Sequence, residues 1–216
     1  MLAIIQARSS SKRFPKKIFK KIKKRTLIEM VIERLKKAKK IKKIIVAISN
    51  KASDDKLANY LKKKKIHLYR GKLNDVTDRL YNASVGNNYF VRINGDSPLI
   101  DPGLIDNMIK IFKKNKIKKE FDILTNTLPR TFPKGQSVEI VKRKILKLNH
   151  KKMSLKDKEH VTRFFYRHKN KFNIKNVKNK KKIFRTKFAI DTKKDLKNLI
   201  KFVKNKNLKN FTIYKI

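Results

Sequence analysis

The sequence predicts a doubly wound α/β protein: a mostly parallel mixed sheet, Rossmann-like, with helices on both faces. Three observations carry that prediction. Short β-branched runs alternate with segments of helical spacing four times over, as successive βαβ units require. The runs Leu2 to Ile5 and Ile44 to Ile48 are continuously apolar rather than alternating, which suits strands covered on both sides. Polar stretches rich in charge stand directly behind strands, at the edge where open α/β sheets bind ligands.

Taken in order, Leu2 to Ile5 is the first strand, and Gln6 to Lys17 follows it with nothing apolar between Ala7 and Phe14. Thr26-Leu27-Ile28-Glu29 is a capping box, and Leu27, Val31, Leu35 and Ala38 then repeat at helical spacing, so a helix is expected from Leu27 to Lys39. Ile44 to Ile48 is a buried strand ended by Ser49-Asn50. Ser53-Asp54-Asp55 opens the next helix, with Leu57 and Leu61 inward. Ile66 to Tyr69 is a third strand, Asp75 to Val85 a helix, and Tyr89 to Ile93 a fourth strand. Beyond it a helix is expected from Leu104 to Lys113, then strands at Asp122 to Thr125 and Ser137 to Val141. The loop Pro129 to Gln136 between them suits either a closing flap or a plain connection. A helix is expected to begin at Lys158, with His160 near its start as an acid/base, a ligand or a packing residue. Lys169 to Lys182, the segment richest in lysine and asparagine, is expected to be a surface excursion. A last strand should end at Asp191, where Thr192 and Asp195 form a second capping box for a helix carrying Leu196, Leu199, Ile200 and Val203.

Lys+Arg is 62 against 16 Asp+Glu, a formal charge of +46. Such a balance invites nucleic acid. However, the lysines recur in every segment, without one basic face or the aromatic interleaving that stacks bases. A lysine-rich genome explains them, so no specific nucleic-acid partner is expected, and the arginines and the few acids become the informative residues. At 216 residues and 39% hydrophobic content, positions 1–216 are expected to form one domain with a proper core. No stretch is long and apolar enough for a membrane span, so no membrane insertion is expected. The N-terminal apolar run is too short for a signal peptide. With no cysteine, disulfides and thiolate metal sites are excluded, and a cytoplasmic protein is expected.

The loop Gln6 to Lys17 combines Ser9, Ser10 and Ser11 with Arg8, Arg13 and lysines, a set suited to wrapping a triphosphate. It contains no glycine, and a solvated basic loop is the alternative. Asn94-Gly95-Asp96-Ser97-Pro98 presents Asp96 at the same sheet edge, either to cap its own turn or to meet the basic loop through a divalent cation. Asp191 stands at another expected strand exit. In so acid-poor a chain the pair is a candidate Mg²⁺ site.

These residues resemble the cytidylyltransferases of the spore coat polysaccharide type, relatives of the enzymes that activate 3-deoxy-manno-octulosonate and acylneuraminate. The family's first loop runs Q-A-R-x-G-S-x-R-x-P-G-K, and Gln6-Ala7-Arg8, Ser11, Arg13, Pro15 and Lys17 match it in register. Ser49-Asn50, Asp54-Asp55, Arg70-Gly71, Asp75-Val76, Asp78-Arg79, Gly95-Asp96, Pro98 to Pro102, Glu159 to Thr162, and Asp191-Thr192 with Asp195-Leu196 follow in order. The resemblance implies a nucleotide-diphospho-sugar transferase fold and a Mg²⁺-dependent transfer of CMP from CTP to a sugar or sugar acid in surface polysaccharide synthesis, with pyrophosphate released. It implies that Arg8, Arg13 and Lys17 act on the triphosphate, that Asp96 and Asp191 hold Mg²⁺, and that Ala7, Ser11, Asn50, Arg70, Gly71, Asp75 and Asp96 lie about the nucleotide. A homodimer is also expected, since related enzymes are often dimers. Ser10 and Lys16 stand where the family has glycine, which removes backbone freedom from the loop. The second half is short for the family, which implies a reduced sugar-binding region. The alternatives are a transferase of the same fold using another nucleotide, and a non-catalytic basic nucleic-acid-binding protein.

Overall fold

The computed structural model describes residues 1–11, 13–116, 120–179, 186–208 and 211–212. The chain runs β1 (Leu2–Gln6), a hairpin of β2 (Lys21–Ile22) and β3 (Arg25–Thr26), α1 (Leu27–Lys37), β4 (Lys43–Ser49), α2 (Asp55–Lys63), β5 (Leu68–Gly71), α3 (Val76–Ala83) and β6 (Tyr89–Asn94). It continues through α4 (Pro102–Lys116), β7 (Ile123–Thr125), β8 (Glu139–Lys142), α5 (Arg143–Asn149), α6 (Leu155–Glu159), α7 (Arg163–Arg167), β9 (Ile174–Asn176) and α8 (Lys193–Val203). Seven strands form one sheet in the order β5-β4-β1-β6-β8-β7-β9. The first four are mutually parallel, β8 is antiparallel to both β6 and β7, and β9 runs parallel to β7.

β1 lies inside the sheet between β4 and β6, all of Leu2 to Ile5 is buried, and its alternation feeds both faces. Ala3 and Ile5 join a cluster with Val31 and Leu35 of α1 and Ile105 and Met108 of α4. Leu2 and Ile4 join the opposite one, with Val76 and Leu80 of α3, Leu146 of α5 and Phe165 of α7. A third cluster, with Phe14, Leu27, Leu99, Phe188 and Leu199, docks α8 beside the sheet. Both predicted capping boxes form, Thr26 with Glu29 at α1 and Thr192 with Asp195 at α8.

Several expectations are corrected. Lys158 does not begin a helix. A capping box of Ser154 and Asp157 opens α6 earlier, α6 ends at Glu159, and α7 starts afresh at Arg163. The lysine-rich stretch is no mere excursion, because its residues Ile174–Asn176 form the edge strand β9; residues 180–182 lie outside the described part. Phe188 to Ile190, which bends at Ala189, belongs to no strand ladder. Its amides are taken instead by two single carbonyls, Phe188 and Ala189 donating to Lys134 and Ile190 to Asp96. The third strand lies later than expected, at Leu68–Gly71. The hairpin β2-β3 was not foreseen, since its turn residues Lys23 and Lys24 have φ of 46° and 68°, a conformation that glycine or asparagine ordinarily signals.

Candidate active site

β1 and β6 are neighbours and parallel, so the segments leaving them emerge side by side at the carboxyl edge of the sheet. The amide of Gly95 donates to the Gln6 carbonyl at 2.9 Å. A Cβ at Gly95 would stand 3.0 Å from the Ala7 Cβ and 3.2 Å from the Gln6 carbonyl oxygen, so glycine is what lets the two exits approach. Between them opens a cleft of about 890 Å³. Its walls come from the first loop (Ala7, Arg8, Ser10, Ser11, Arg13 and Lys17), from Leu73, Asn74, Val76 and Arg79, and from Asn94 to Asp96. Leu155, Lys156, Glu159, His160 and Asp191 close it on the side of the second half.

Lys17 is the hub. Its ammonium donates to Asp96 Oδ2 at 2.8 Å and to the Ile190 carbonyl at 2.7 Å, and lies 3.7 Å from Asp191 Oδ1. The two aspartates expected at one site are thus brought together. Lys17 meets them directly, so ion pairing alone already accounts for a carboxylate facing the basic loop. Arg13 reaches Asp191 at 3.1 Å, and Lys187, which the sequence did not single out, bridges Asp191 at 2.9 Å and Asp195 at 2.8 Å. Burial works to raise the Asp191 carboxyl, but the hydrogen bond from Lys187 and the charges of Lys17 and Arg13 prevail and hold it below the usual range. Arg8 donates to Glu159 at 2.9 Å across the cleft.

The first loop itself is folded by Ser9, whose carbonyl accepts from the amides of Ser11 and Lys16. Lys16 has φ 54° and ψ 22°, so the left-handed conformation explains why glycine suits that position. Among the described positive-φ residues Ser10 is absent, so serine fits there without backbone strain. Arg79 is 1% exposed and is pushed down to about 10 by burial. Its Nη1 holds the carbonyls of Lys72 and Leu73 beside the cleft. The sequence marks Arg79 and Glu159 only as matches in the family pattern, and His160 also as an acid/base, a ligand or a packing residue; β2 to β5 separate Arg79 from the first loop along the chain, and only the sheet order joins them.

Of the expected site residues, Ala7, Arg8, Ser11, Arg13, Lys17, Asp96 and Asp191 line the cleft, whereas Asn50, Arg70, Gly71 and Asp75 do not. Arg70 latches the end of β4, donating to the carbonyls of Ser49 and Lys51 and to Asp55. Gly71 accepts from the Asn50 amide and packs on Arg79, which a Cβ would crowd at 3.1 Å. Asp75 caps α3 and pairs with His150 at 2.7 Å.

The cytidylyltransferase family matches residues 2–215, nearly the whole chain. The protein belongs to the cytidylyltransferase family. It is 34% identical over 221 residues to an uncharacterized protein of Methanocaldococcus jannaschii, covering 100% of this chain and 88% of that one. It is 27% identical to the spore coat polysaccharide biosynthesis protein SpsF of Bacillus subtilis, over 92% of this chain and 84% of the other. A cytidylyltransferase structure from Leptospira borgpetersenii superposes with a TM-score of 0.90 at 29% identity, covering 98% of this chain and 90% of that chain. The cleft at the β1 and β6 exits is therefore the candidate active site of this cytidylyltransferase. Among the described residues no group of three or more His, Cys, Asp or Glu side chains gathers, and no helix is long and apolar enough to cross a membrane.

Proposed function

We propose that the protein transfers CMP from CTP to a hydroxyl of a sugar or sugar acid, releasing pyrophosphate, in the cytoplasmic synthesis of a surface polysaccharide. The observation that carries this is the meeting of Arg8, Arg13 and Lys17 with Asp96 and Asp191 in one cleft at the strand exits. Nucleotidyl transfer asks a protein mainly to position the phosphates and to offset charge. The acceptor oxygen attacks the α-phosphorus, and the bond from that phosphorus to the pyrophosphate oxygen breaks. Arg8 offers a planar fork to phosphate oxygens. Arg13, 70% exposed, is placed to hold the departing pyrophosphate. Lys17, mostly buried and on a flexible stem, moves from the aspartates toward the triphosphate as it binds.

Asp96 and Asp191 fit Mg²⁺. Two hard carboxylates converge on a single cationic point, and an ion that takes one or two carboxylates plus phosphate oxygens needs no larger protein cage. Bound there, Mg²⁺ supplies charge neutralisation at the phosphates. On this reading the acceptor lies against the wall of Lys156, Glu159 and His160, which the second half of the chain brings to the cleft.

Calorimetric titration with CTP, UTP, ATP and GTP, with and without Mg²⁺ and in salt sufficient to screen so basic a surface, tests the proposal. Saturable, Mg²⁺-dependent preference for CTP, lost in Asp96→Ala and Asp191→Ala, is expected. A preference for another nucleotide assigns a different transferase of this fold. Equal, salt-sensitive binding of all four, indifferent to both aspartates, refutes it.

A further inference from the structure

Asp54 lies outside the cleft and touches nothing that reacts, yet it is fully buried and reaches the loop that must hold phosphate. It occupies the N-cap position of α2, where an aspartate ordinarily accepts from the first free amides of its own helix. Here the side chain makes no such bond. Its Oδ2 accepts from the amide of Ser49 at 3.1 Å and from the Ser49 hydroxyl at 2.5 Å, at the end of β4. Its Oδ1 accepts from the amide of Ser9 at 2.6 Å. One oxygen thus serves the sheet and the other serves the loop, and α2 forgoes its cap.

Ser9 is the residue at which that bond has most leverage. Its carbonyl already gathers the amides of Ser11 and Lys16, each at 3.0 Å, so the Ser9 peptide is the pivot of the whole turn. Ser9 is 5% exposed, while Arg8, Ser10 and Ser11 around it line the cleft. Fixing the Ser9 peptide against β4 therefore fixes which way its neighbours face. Asp54 and Asp75 support the buried Arg79 cation through space, while Arg8 opposes it. A neutral side chain at position 54 would remove the larger of those two supports beside the loop.

We propose that Asp54 is a positioning residue for nucleotide binding, holding the Ser9 turn so that Arg8, Ser10 and Ser11 face the triphosphate. The proposal rests on the CTP-binding assignment above. The test joins CTP titration with amide hydrogen exchange of the ligand-free protein, followed by NMR. In the wild type the Ser9 amide should exchange at least tenfold more slowly than that of the exposed Ser10. In Asp54→Asn that protection should be lost and the Kd for CTP should rise about ten- to hundred-fold, the range for losing a hydrogen bond to a charged group. Ser49→Ala, which removes the hydroxyl bond to the sheet-facing oxygen and the long bond that hydroxyl accepts from the Lys51 amide, should lower the melting temperature while keeping the Kd within about twofold and Ser9 protected. An Asp54→Asn protein with wild-type Kd and a protected Ser9 amide overturns the proposal. If Asp54→Asn does not fold, the wild-type exchange of Ser9 decides alone, and an unprotected amide overturns it. Wild-type protein that ignores CTP would refute the transferase assignment, while the exchange arm still decides whether Asp54 holds the turn.

Discussion

Gly135→Ala should be among the most damaging single-methyl changes in the protein, although Gly135 lines no cleft. The loop before β8 turns at Gly135 with φ +97°, and the segment bearing Asp191 lies directly against it. A Cβ there would sit 2.5 Å from the Ala189 nitrogen, 2.5 Å from the Phe188 carbonyl carbon and 2.8 Å from the Phe188 Cβ. These are backbone atoms and the root of a buried phenyl group, so no flexible tip can swing aside. Relief requires separating the strands of chain, which breaks the bonds from the Phe188 and Ala189 amides to the Lys134 carbonyl, now 2.7 and 3.1 Å. Two such bonds contribute roughly 1–3 kcal/mol, and the strained backbone adds about 1–3 kcal/mol. A loss of about 4 kcal/mol is a large part of the ~5–15 kcal/mol typical of a domain and corresponds to a fall of about 10 °C in melting temperature. Circular dichroism melts of the two proteins check this. CTP titration well below the transition checks a second consequence, weaker Mg²⁺-dependent binding, because Ile190 and Asp191 move with Phe188 away from Lys17. A melting temperature within about 2 °C of the wild type would refute the argument.

Lys16→Gly should stabilise the protein by about 0.5–1 kcal/mol, since relief of the left-handed strain at φ 54° exceeds the entropy that glycine adds to the unfolded chain; an unchanged or lower midpoint in urea would contradict this. Glu159→Gln should tighten CTP binding a few-fold by calorimetry, because both partners of the Arg8–Glu159 bridge are over a third exposed and the bridge is weak, yet it competes with phosphate for Arg8; weaker binding would show that Glu159 orients Arg8 instead. Burial raises the carboxyls of Glu29 and Asp195, but hydrogen bonds from Tyr60 and Thr26 in the first case, and from Lys187 and the Asp191 and Thr192 amides in the second, bring both down to about 2. Both are lower folded than unfolded, so they stabilise fully above the unfolded value near 4 and lose that contribution as pH falls from about 4 to about 2. Replacing Glu29 or Asp195 by Gln or Asn should flatten the fall in stability across that window in acid titrations of the melt; an equally steep fall would contradict the assignment.

Wherever a neighbouring stretch of chain is enough to settle a structure, the sequence alone determined it. Continuous apolar runs made β1 and β4 strands, β1 buried from Leu2 to Ile5 and β4 from Val46 onward with Ile44 and Ile45 half-buried, because a strand between two layers removes both faces from water. Thr26 with Glu29, and Thr192 with Asp195, started α1 and α8 because each box closes within four residues. That Arg8 and Asp96 stand at one sheet edge was legible because a strand exit fixes where the next residue goes. Ser154 and Asp157 carry the same local signal, a box that closes within four residues and opens α6. What only the tertiary structure decided was every bond made across the chain. Lys17 takes the carbonyl of Ile190, 173 positions away, and Ser9 takes a carboxylate 45 positions away. The segment 188–190 reads as a strand because it is apolar, but it found single carbonyls rather than a partner strand. Asn50, Arg70, Gly71 and Asp75, expected about the nucleotide, lie outside the cleft lining, and Arg70 spends its guanidinium on Ser49, Lys51 and Asp55. Which face a polar side chain meets depends on the order of strands in the sheet, and local sequence patterns carry no term for that order.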